Sequence, residues 1–311
     1  MCLEYYILQG IATFGAKMRD PFENTVVRGE KLRYNKKKQG VLLMTGMDIA
    51  RKIQLPDVIF EAVYRVQPLD IALDPENPQN TLEALEAFAQ QENGLRILRY
   101  FLDWGVKLKA QYDALGIPER VFWDGMKDIA IWAEDYYDKH GVPGFAEWGW
   151  VATTLCLKVF RLGRLQFEPM QLDTPIVCSG HTYPEGTAVL NVHIPAGEAL
   201  DVSEVRASMD YAPEFFERYF QRRSALFLCH SWLMSPQLKE LLQADSRIIQ
   251  FQNLFSVYEV DQERQAEERV FGHLEENPAA YPEGTSLQKK MKAALLAGKC
   301  FGMGRGIRVI E

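Results

Sequence analysis

Ala188-Val189-Leu190-Asn191-Val192-His193-Ile194, stopped by Pro195, and Ala225-Leu226-Phe227-Leu228-Cys229-His230 flank a helical stretch that runs from Asp201 to about Phe220. Short β-branched and apolar runs bounded by turn residues read as strands. Between them, Asp201 with Glu204 three residues on has the form of a capping box. Val205, Met209, Phe216, Tyr219 and Phe220 then recur at helical spacing. A strand–helix–strand unit of this length predicts two parallel strands joined by a right-handed crossover. Open α/β sheets gather their ligands beyond the carboxyl ends of their strands. Both runs end there in a histidine, His193 and His230.

Working outward toward the C-terminus, Ser235-Pro236 predicts the cap and first turn of a short helix to Leu242. Phe251–Val260 reads as a strand. Thr285 with Gln288 caps a helix to about Ala297, and residues 300–310 are expected to return to the sheet. Toward the N-terminus, residues 161–168 alternate in character and Pro175–Cys178 is a shorter apolar run. Before them the period is helical. Leu82, Leu85, Phe88 and Ala89 share one face, and Leu95, Leu98, Phe101, Leu102 and Leu108 continue after Gly94 to a stop at Gly116. A helix opened by Pro118 then ends at Lys139-His140-Gly141, and a last, aromatic one spans about 145–159 with Trp148 and Trp150 in packing roles. The chain therefore divides into a loosely ordered extension over 1–46, a helical domain over 47–160 and an α/β (α+β) domain over 161–311.

The 311 residues are 47% hydrophobic and 25% charged, the composition of a globular protein with a large core. The net charge is −7, yet residues 1–46 hold eight basic and only four acidic side chains, so the rest of the chain is strongly acidic. An acidic body disfavours nucleic acid as a partner. Five dispersed cysteines, none in a C-x-x-C pair, argue against a disulfide framework and a zinc site. The absence of a leader-like start and of a long apolar run implies a cytoplasmic protein with no membrane partner.

No phosphate-binding P-loop, no H-E-x-x-H and no G-x-S-x-G occurs. Gly302-Met303-Gly304-Arg305-Gly306 follows a helix and so reads as a terminal strand or hairpin, not a dinucleotide loop. Either histidine is a candidate general base, since imidazole titrates near neutrality; the alternative is a hydrogen-bonded strand cap. Cys229 cannot pair with His230, because strand neighbours point to opposite faces; it reads as a small buried hydrophobe. Glu168 is a candidate carboxylate base or a surface residue.

The segments 160–168, Val192-His193-Ile194-Pro195, Phe227-Leu228-Cys229-His230-Ser231-Trp232-Leu233 and Thr285-Ser286-Leu287-Gln288, with Asp128–Ala133 and Glu147–Trp150 before them, resemble bacterial acyltransferase-domain proteins. These join a helical N-acyltransferase N-terminal domain to a GNAT-like C-terminal domain, and the likeness covers about 47–308. It implies a GNAT-like mixed sheet with flanking helices and an acyl-CoA-dependent N-acyltransferase. Acetyl-CoA or another acyl-CoA would be the donor and a small-molecule or peptide amine the acceptor, with no metal. It also implies that the donor's pantetheine lies between the two parallel strands, on Val192, Ile194, Cys229 and Ser231. Its pyrophosphate would sit at the start of the crossover helix, near Arg206. His193, His230 or Glu168 would take the amine proton. Two departures stand out: the superfamily's Arg/Gln-x-x-Gly-x-Gly/Ala loop is replaced by Pro195–Asp201, and no tyrosine follows the second strand to protonate the departing thiolate. A catalytically weak binding module is the competing reading, and a hydrolase using Cys229 or an activated water a third. Oligomeric state is not legible.

Overall fold

The computed structural model describes residues 44–72 and 78–310, the side chains of 78 and 79 excepted. The chain forms two compact units that part between Arg161 and Leu162. The extension expected over residues 1–46 lies, up to residue 43, outside the described residues.

The first unit contains α1 (Gly46–Lys52), α2 (Asp57–Arg65), α3 (Pro78–Glu86), α4 (Leu95–Leu115), α5 (Glu119–His140) and α6 (Trp148–Leu155). Thr45 and Asp48 form a reciprocal capping box on α1, so this helix starts ahead of Met47. Gly116 and Gly141 end α4 and α5 in the left-handed conformation, as the sequence predicts. Pro118 is the N-cap of α5, one position before its first turn. Phe101, Tyr112, Phe122 and Phe145 are among the side chains that fill this core. Arg161 and Asp128, both almost fully buried, approach to 3.9 Å within it. Among the described residues no helix is long and apolar enough to cross a membrane.

The second unit is built on a six-stranded sheet whose first strand, β1 (Phe160–Leu162), starts two residues before the division; the others are β2 (Leu165–Gln171), β5 (Ala188–His193), β6 (Leu226–Ser231), β7 (Ser256–Val260) and β8 (Gly304–Val309). Their order is β1-β2-β5-β6-β8-β7, with a separate hairpin of β3 (Ile176–Cys178) and β4 (His181–Tyr183). The crossover helix α7 (Val202–Phe220) joins β5 to β6, which are parallel as the sequence predicts; β2, β8 and β7 pair antiparallel to their neighbours. One face carries Val189, Leu226 and Ile307, covered by Ile176 and Cys178 of the hairpin. On the other face Phe167 and Phe227 meet at 5.9 Å, and Leu190, Val192 and Cys229 are buried.

Three local expectations are corrected. Residues 161–168 are not one strand, because Gly163 at φ +81° turns the chain between β1 and β2. Only the second half of 251–260 is a strand; its first residues end helix α9 (Arg247–Gln252), which Ser246 caps through the Ile249 amide. Ser235 is not a helix cap. It closes a 3-10 turn over 232–234, and its hydroxyl bonds the Gln237 side-chain oxygen at 2.9 Å ahead of the short α8 (Leu238–Leu241). Helix α10 (Gln265–Phe271) lies outside the sequence expectations. With α11 (Ser286–Leu296), whose Thr285–Gln288 capping box forms as predicted, it closes an apolar corner around Phe271, Tyr281 and Phe301.

Candidate active site

Parallel pairing between β5 and β6 runs Val189↔Leu226, Leu190↔Phe227 and Asn191↔Leu228, and stops there. Both strands continue, but on other partners. Val192 and His193 stay registered with Phe167 and Gln166 of β2, while Cys229, His230 and Ser231 stay registered with Gly306, Arg305 and Gly304 of β8. The parallel pair thus opens at its carboxyl end. Val192, Ile194, Cys229 and Ser231 stand along that opening.

Side chains alternate along a strand, so Asn191, His193, Leu228 and His230 share one face, with Glu168 opposite Asn191 and Arg305 opposite His230. It is the hairpin-covered face, beyond the end of its cover. His193 Nε2 lies 3.0 Å from Glu168 Oε2, with both side chains about three-quarters buried. Asn191 Nδ2 approaches the same carboxylate oxygen at 3.5 Å and the ring nitrogen at 3.2 Å. His230 Nε2 lies 2.6 Å from Asp261 Oδ2. The other oxygen of Asp261 accepts the Glu263 amide at 3.0 Å and the Met303 amide at 3.2 Å. Burial alone would raise the Asp261 carboxyl, but those two amides and His230 outweigh it and hold its pKa below the ordinary aspartate value.

Two histidine–carboxylate pairs therefore stand at the ends of adjacent parallel strands. Glu168, His193 and His230 are brought together on one face. Cys229 is not among them: it faces the opposite core, fully buried, and burial pushes its thiol up to about 12. Ser231 shares that opposite face, and its hydroxyl accepts the Leu233 amide at 3.2 Å. Among the described residues no group of His, Cys, Asp or Glu could hold a metal ion.

At the head of α7, Asp201 accepts the amides of Ser203 at 2.9 Å and Glu204 at 3.4 Å. Its carboxyl is held below the usual range by the Ser203 hydroxyl first, then by those amides, with Arg247 adding attraction. Arg206 is exposed one turn further along. The loop before Asp201 is held from beneath by Arg164, whose guanidinium donates to the carbonyls of Ala199 at 2.9 Å and Glu198 at 2.8 Å. Asn191, Asp261, Arg164 and Arg247 are the residues sequence reasoning missed. Of these only Asn191 carried a signal, two positions before His193 on the same strand face.

A parallel pair that opens at its carboxyl end, joined by one crossover helix and edged by two histidine–carboxylate pairs, is the arrangement of a GNAT-like domain. The family model for a GNAT-like C-terminal domain matches residues 159–308, and that for an N-acyltransferase N-terminal domain matches 44–157. The chain belongs to the two-domain N-acyltransferase family that these models describe. Among solved structures it is similar to an acyltransferase in complex with decanoyl-CoA and teicoplanin, and to one in complex with CoA and 10C-teicoplanin. Each is 22% identical with a TM-score of 0.69, over 88% of this chain and 91% of that chain. An acyltransferase in complex with decanoyl-CoA gives a TM-score of 0.67 at the same identity and coverage. No curated protein matches the chain.

Proposed function

We propose that the protein is an acyl-CoA-dependent N-acyltransferase. The observation that carries this reading is the opening between β5 and β6 with His193 and His230 just beyond it, each paired with a carboxylate. Donor pantetheine would lie along Val192, Ile194, Cys229 and Ser231, whose strand edges no longer pair across the gap. The acceptor amine attacks the thioester carbonyl, the C–N bond forms, the C–S bond breaks, and CoA leaves with the proton that the amine gives up. A neutral imidazole that donates Nε2–H to its carboxylate carries its lone pair on Nδ1, where it can accept that proton. Backbone amides at the opening are suited to the oxyanion. Complexes of similar acyltransferases with decanoyl-CoA and teicoplanin support a long acyl donor and a small-molecule or peptide amine acceptor. The four described cysteines are free thiols, consistent with a cytoplasmic enzyme.

A second reading, a GNAT-shaped binding module without turnover, draws on one observation. The amides at the head of α7, where an anion would bind, are already taken by Asp201, with Glu198 and Glu204 nearby. Calorimetric titration of acetyl-CoA and decanoyl-CoA separates the two. Micromolar binding, with acyl transfer to a panel of amines lost in His193→Ala, is expected; binding of no CoA thioester would leave only the module.

A further inference from the structure

We infer that Arg305 is the acceptor's anion site: the amine that is acylated carries a carboxylate close to it, as an amino acid does, and the Arg305 guanidinium holds that carboxylate. The inference rests on the acyltransferase reading above and narrows its acceptor. Bond making and breaking are unchanged by it, so Arg305 binds and orients the acceptor and transfers nothing.

Register places Glu259 of β7, Arg305 of β8 and His230 of β6 in one row across the open face of the sheet. His193 of β5 lies beyond the opening, two residues past the last paired position, as His230 does. Facing residues on antiparallel strands are about 5 Å apart, so a long side chain on β8 comes within reach of a small molecule whose amine is at the opening. Two features aim this side chain. Gly304 and Gly306 flank Arg305 and face the other way, where a Cβ on the first would run into the Met234 carbonyl and one on the second would lie 2.6 Å from Met234 Cε. The strand is therefore pressed against the turn that follows β6, and Arg305 stands on the face with the histidines. On β7 a bulge falls between Val257 and Glu259, an irregularity of the kind that re-aims side chains beside sites. Its extra residue, Tyr258, packs with the hairpin cluster.

Arg305 is set apart by donors that the fold does not use. Arg164 spends its guanidinium on the Ala199 and Glu198 carbonyls, and Arg264 spends its own on both oxygens of Glu267. Among the described residues Arg305 makes no hydrogen bond through its side chain. Its Nε is shielded from water with no acceptor, and the nearest carboxylate oxygen, Glu259 Oε2, stands 3.7 Å away on a side chain that is 60% exposed. An exposed pair at that distance contributes little. A carboxylate docked in a bidentate way on the free edge of the guanidinium gains two charge-assisted hydrogen bonds, and so displaces Glu259 readily. The other carboxylates of this face are engaged: Glu168 with His193 and Asn191, Asp261 with His230 and two backbone amides.

The test takes decanoyl-CoA as donor, follows thiol release with a chromogenic disulfide, and offers free L-amino acids, each against its own amide. The amine of the amide is the less basic, so more of it is neutral at a given pH and a preference for the acid cannot come from the amine. Wild type should favour the acids at least about tenfold in kcat/KM, chiefly through KM, and Arg305→Gln should bring that ratio near unity. Arg305→Lys should restore part of the preference, since the charge returns without the fork. Glu259→Gln, an exposed substitution on the edge strand, should lower KM for the acids severalfold; should Arg305→Gln not fold, an unchanged KM in Glu259→Gln overturns the inference. Amides accepted as well as acids, transfer to none of the acids, or a preference that survives in Arg305→Gln also overturns it and leaves the acyltransferase reading standing. Loss of decanoyl-CoA binding by calorimetry in folded Arg305→Gln would put the guanidinium on the donor, and overturns it too. Failure of wild type to bind decanoyl-CoA is a separate outcome, and removes the acyltransferase reading together with this inference.

Discussion

Replacing Arg164 with methionine tests what holds the loop in front of the crossover helix. The residue sits at the β1–β2 turn, 5% exposed, and its guanidinium spans the carbonyls of Glu198 and Ala199 at 2.8 and 2.9 Å. Its backbone amide donates to Ser208 Oγ at 2.8 Å, a bond that the substitution leaves in place. Hydrogen bonds from a charged donor contribute roughly 1.5–3 kcal/mol each. Glu198 and Ala199 are exposed residues, so their freed carbonyls regain water and part of the loss is returned. Methionine also keeps much of the apolar stem packing. The net destabilisation should be about 2–4 kcal/mol, read as a fall in urea midpoint at constant slope. Because the loop leads into Asp201 and α7, the affinity for CoA should fall severalfold in the same variant. A destabilisation below about 1 kcal/mol, with CoA affinity unchanged, would refute the idea that this guanidinium organises the loop.

Three further outcomes follow from the same geometry. Gly302→Ala should lower stability by about 1–3 kcal/mol in denaturant melts, because a Cβ there would lie 1.7 Å from the Asp261 carbonyl oxygen, backbone rather than a movable side chain; a neutral result would mean that the backbone at this contact relaxes freely. Asp261 has a folded-state pKa below its ordinary 3.8, so its contribution to stability is present above that pH and lost as pH falls through the lower folded value. Wild type should therefore exceed Asp261→Asn in melting temperature near pH 6, and the gap should narrow only once the pH falls below 3.8; a gap that is constant with pH would contradict this. Cys300, exposed, should alkylate readily in the native protein, whereas Cys229, buried with its thiol pushed up to about 12, should stay unmodified below pH 9, and Cys229→Ala should leave acyl transfer intact. Peptide mapping after iodoacetamide treatment decides the labelling, and loss of transfer in Cys229→Ala would revive a thiol mechanism.

How legible the fold is in the sequence depends on how local the determining physics is. Gly116 and Gly141 end helices through their own backbone freedom, and the Thr285–Gln288 box is closed by two neighbours; both are readable. The β5–α7–β6 unit is readable too, because its alternation and its cap lie within one stretch of chain. Gly163 escapes notice because one turn residue inside an apparent alternation does not reveal a hairpin without its partner strand. Phe251 looks strand-like by composition but belongs to a helix whose burial decides the matter. The histidines are legible, and so is Glu168 as a candidate; Asp261 and both pairings are not. Glu168 reaches His193 only through the antiparallel register of β2, and Asp261 reaches His230 across 31 positions of sequence. No local pattern encodes either pairing.

The same sheet face explains why the chemistry collects where it does. Along β5 it runs from Val189 to Asn191 to His193, along β6 from Leu226 through Leu228 to His230, along β2 from Met170 to Glu168, and along β8 from Ile307 to Arg305. In these four strands the apolar ends, Val189, Leu226, Leu228, Met170 and Ile307, pack with Ile176 and Cys178 of the β3–β4 hairpin, and the polar groups follow directly after them. Under that cover an ionisable side chain would lose water without gaining partners. Past it, each group keeps some exposure and finds a neighbour across the ladder. The opening of the β5–β6 pair falls at this same border, immediately after Asn191 and Leu228. Backbone groups released from one ladder and side chains able to move protons are thereby placed side by side.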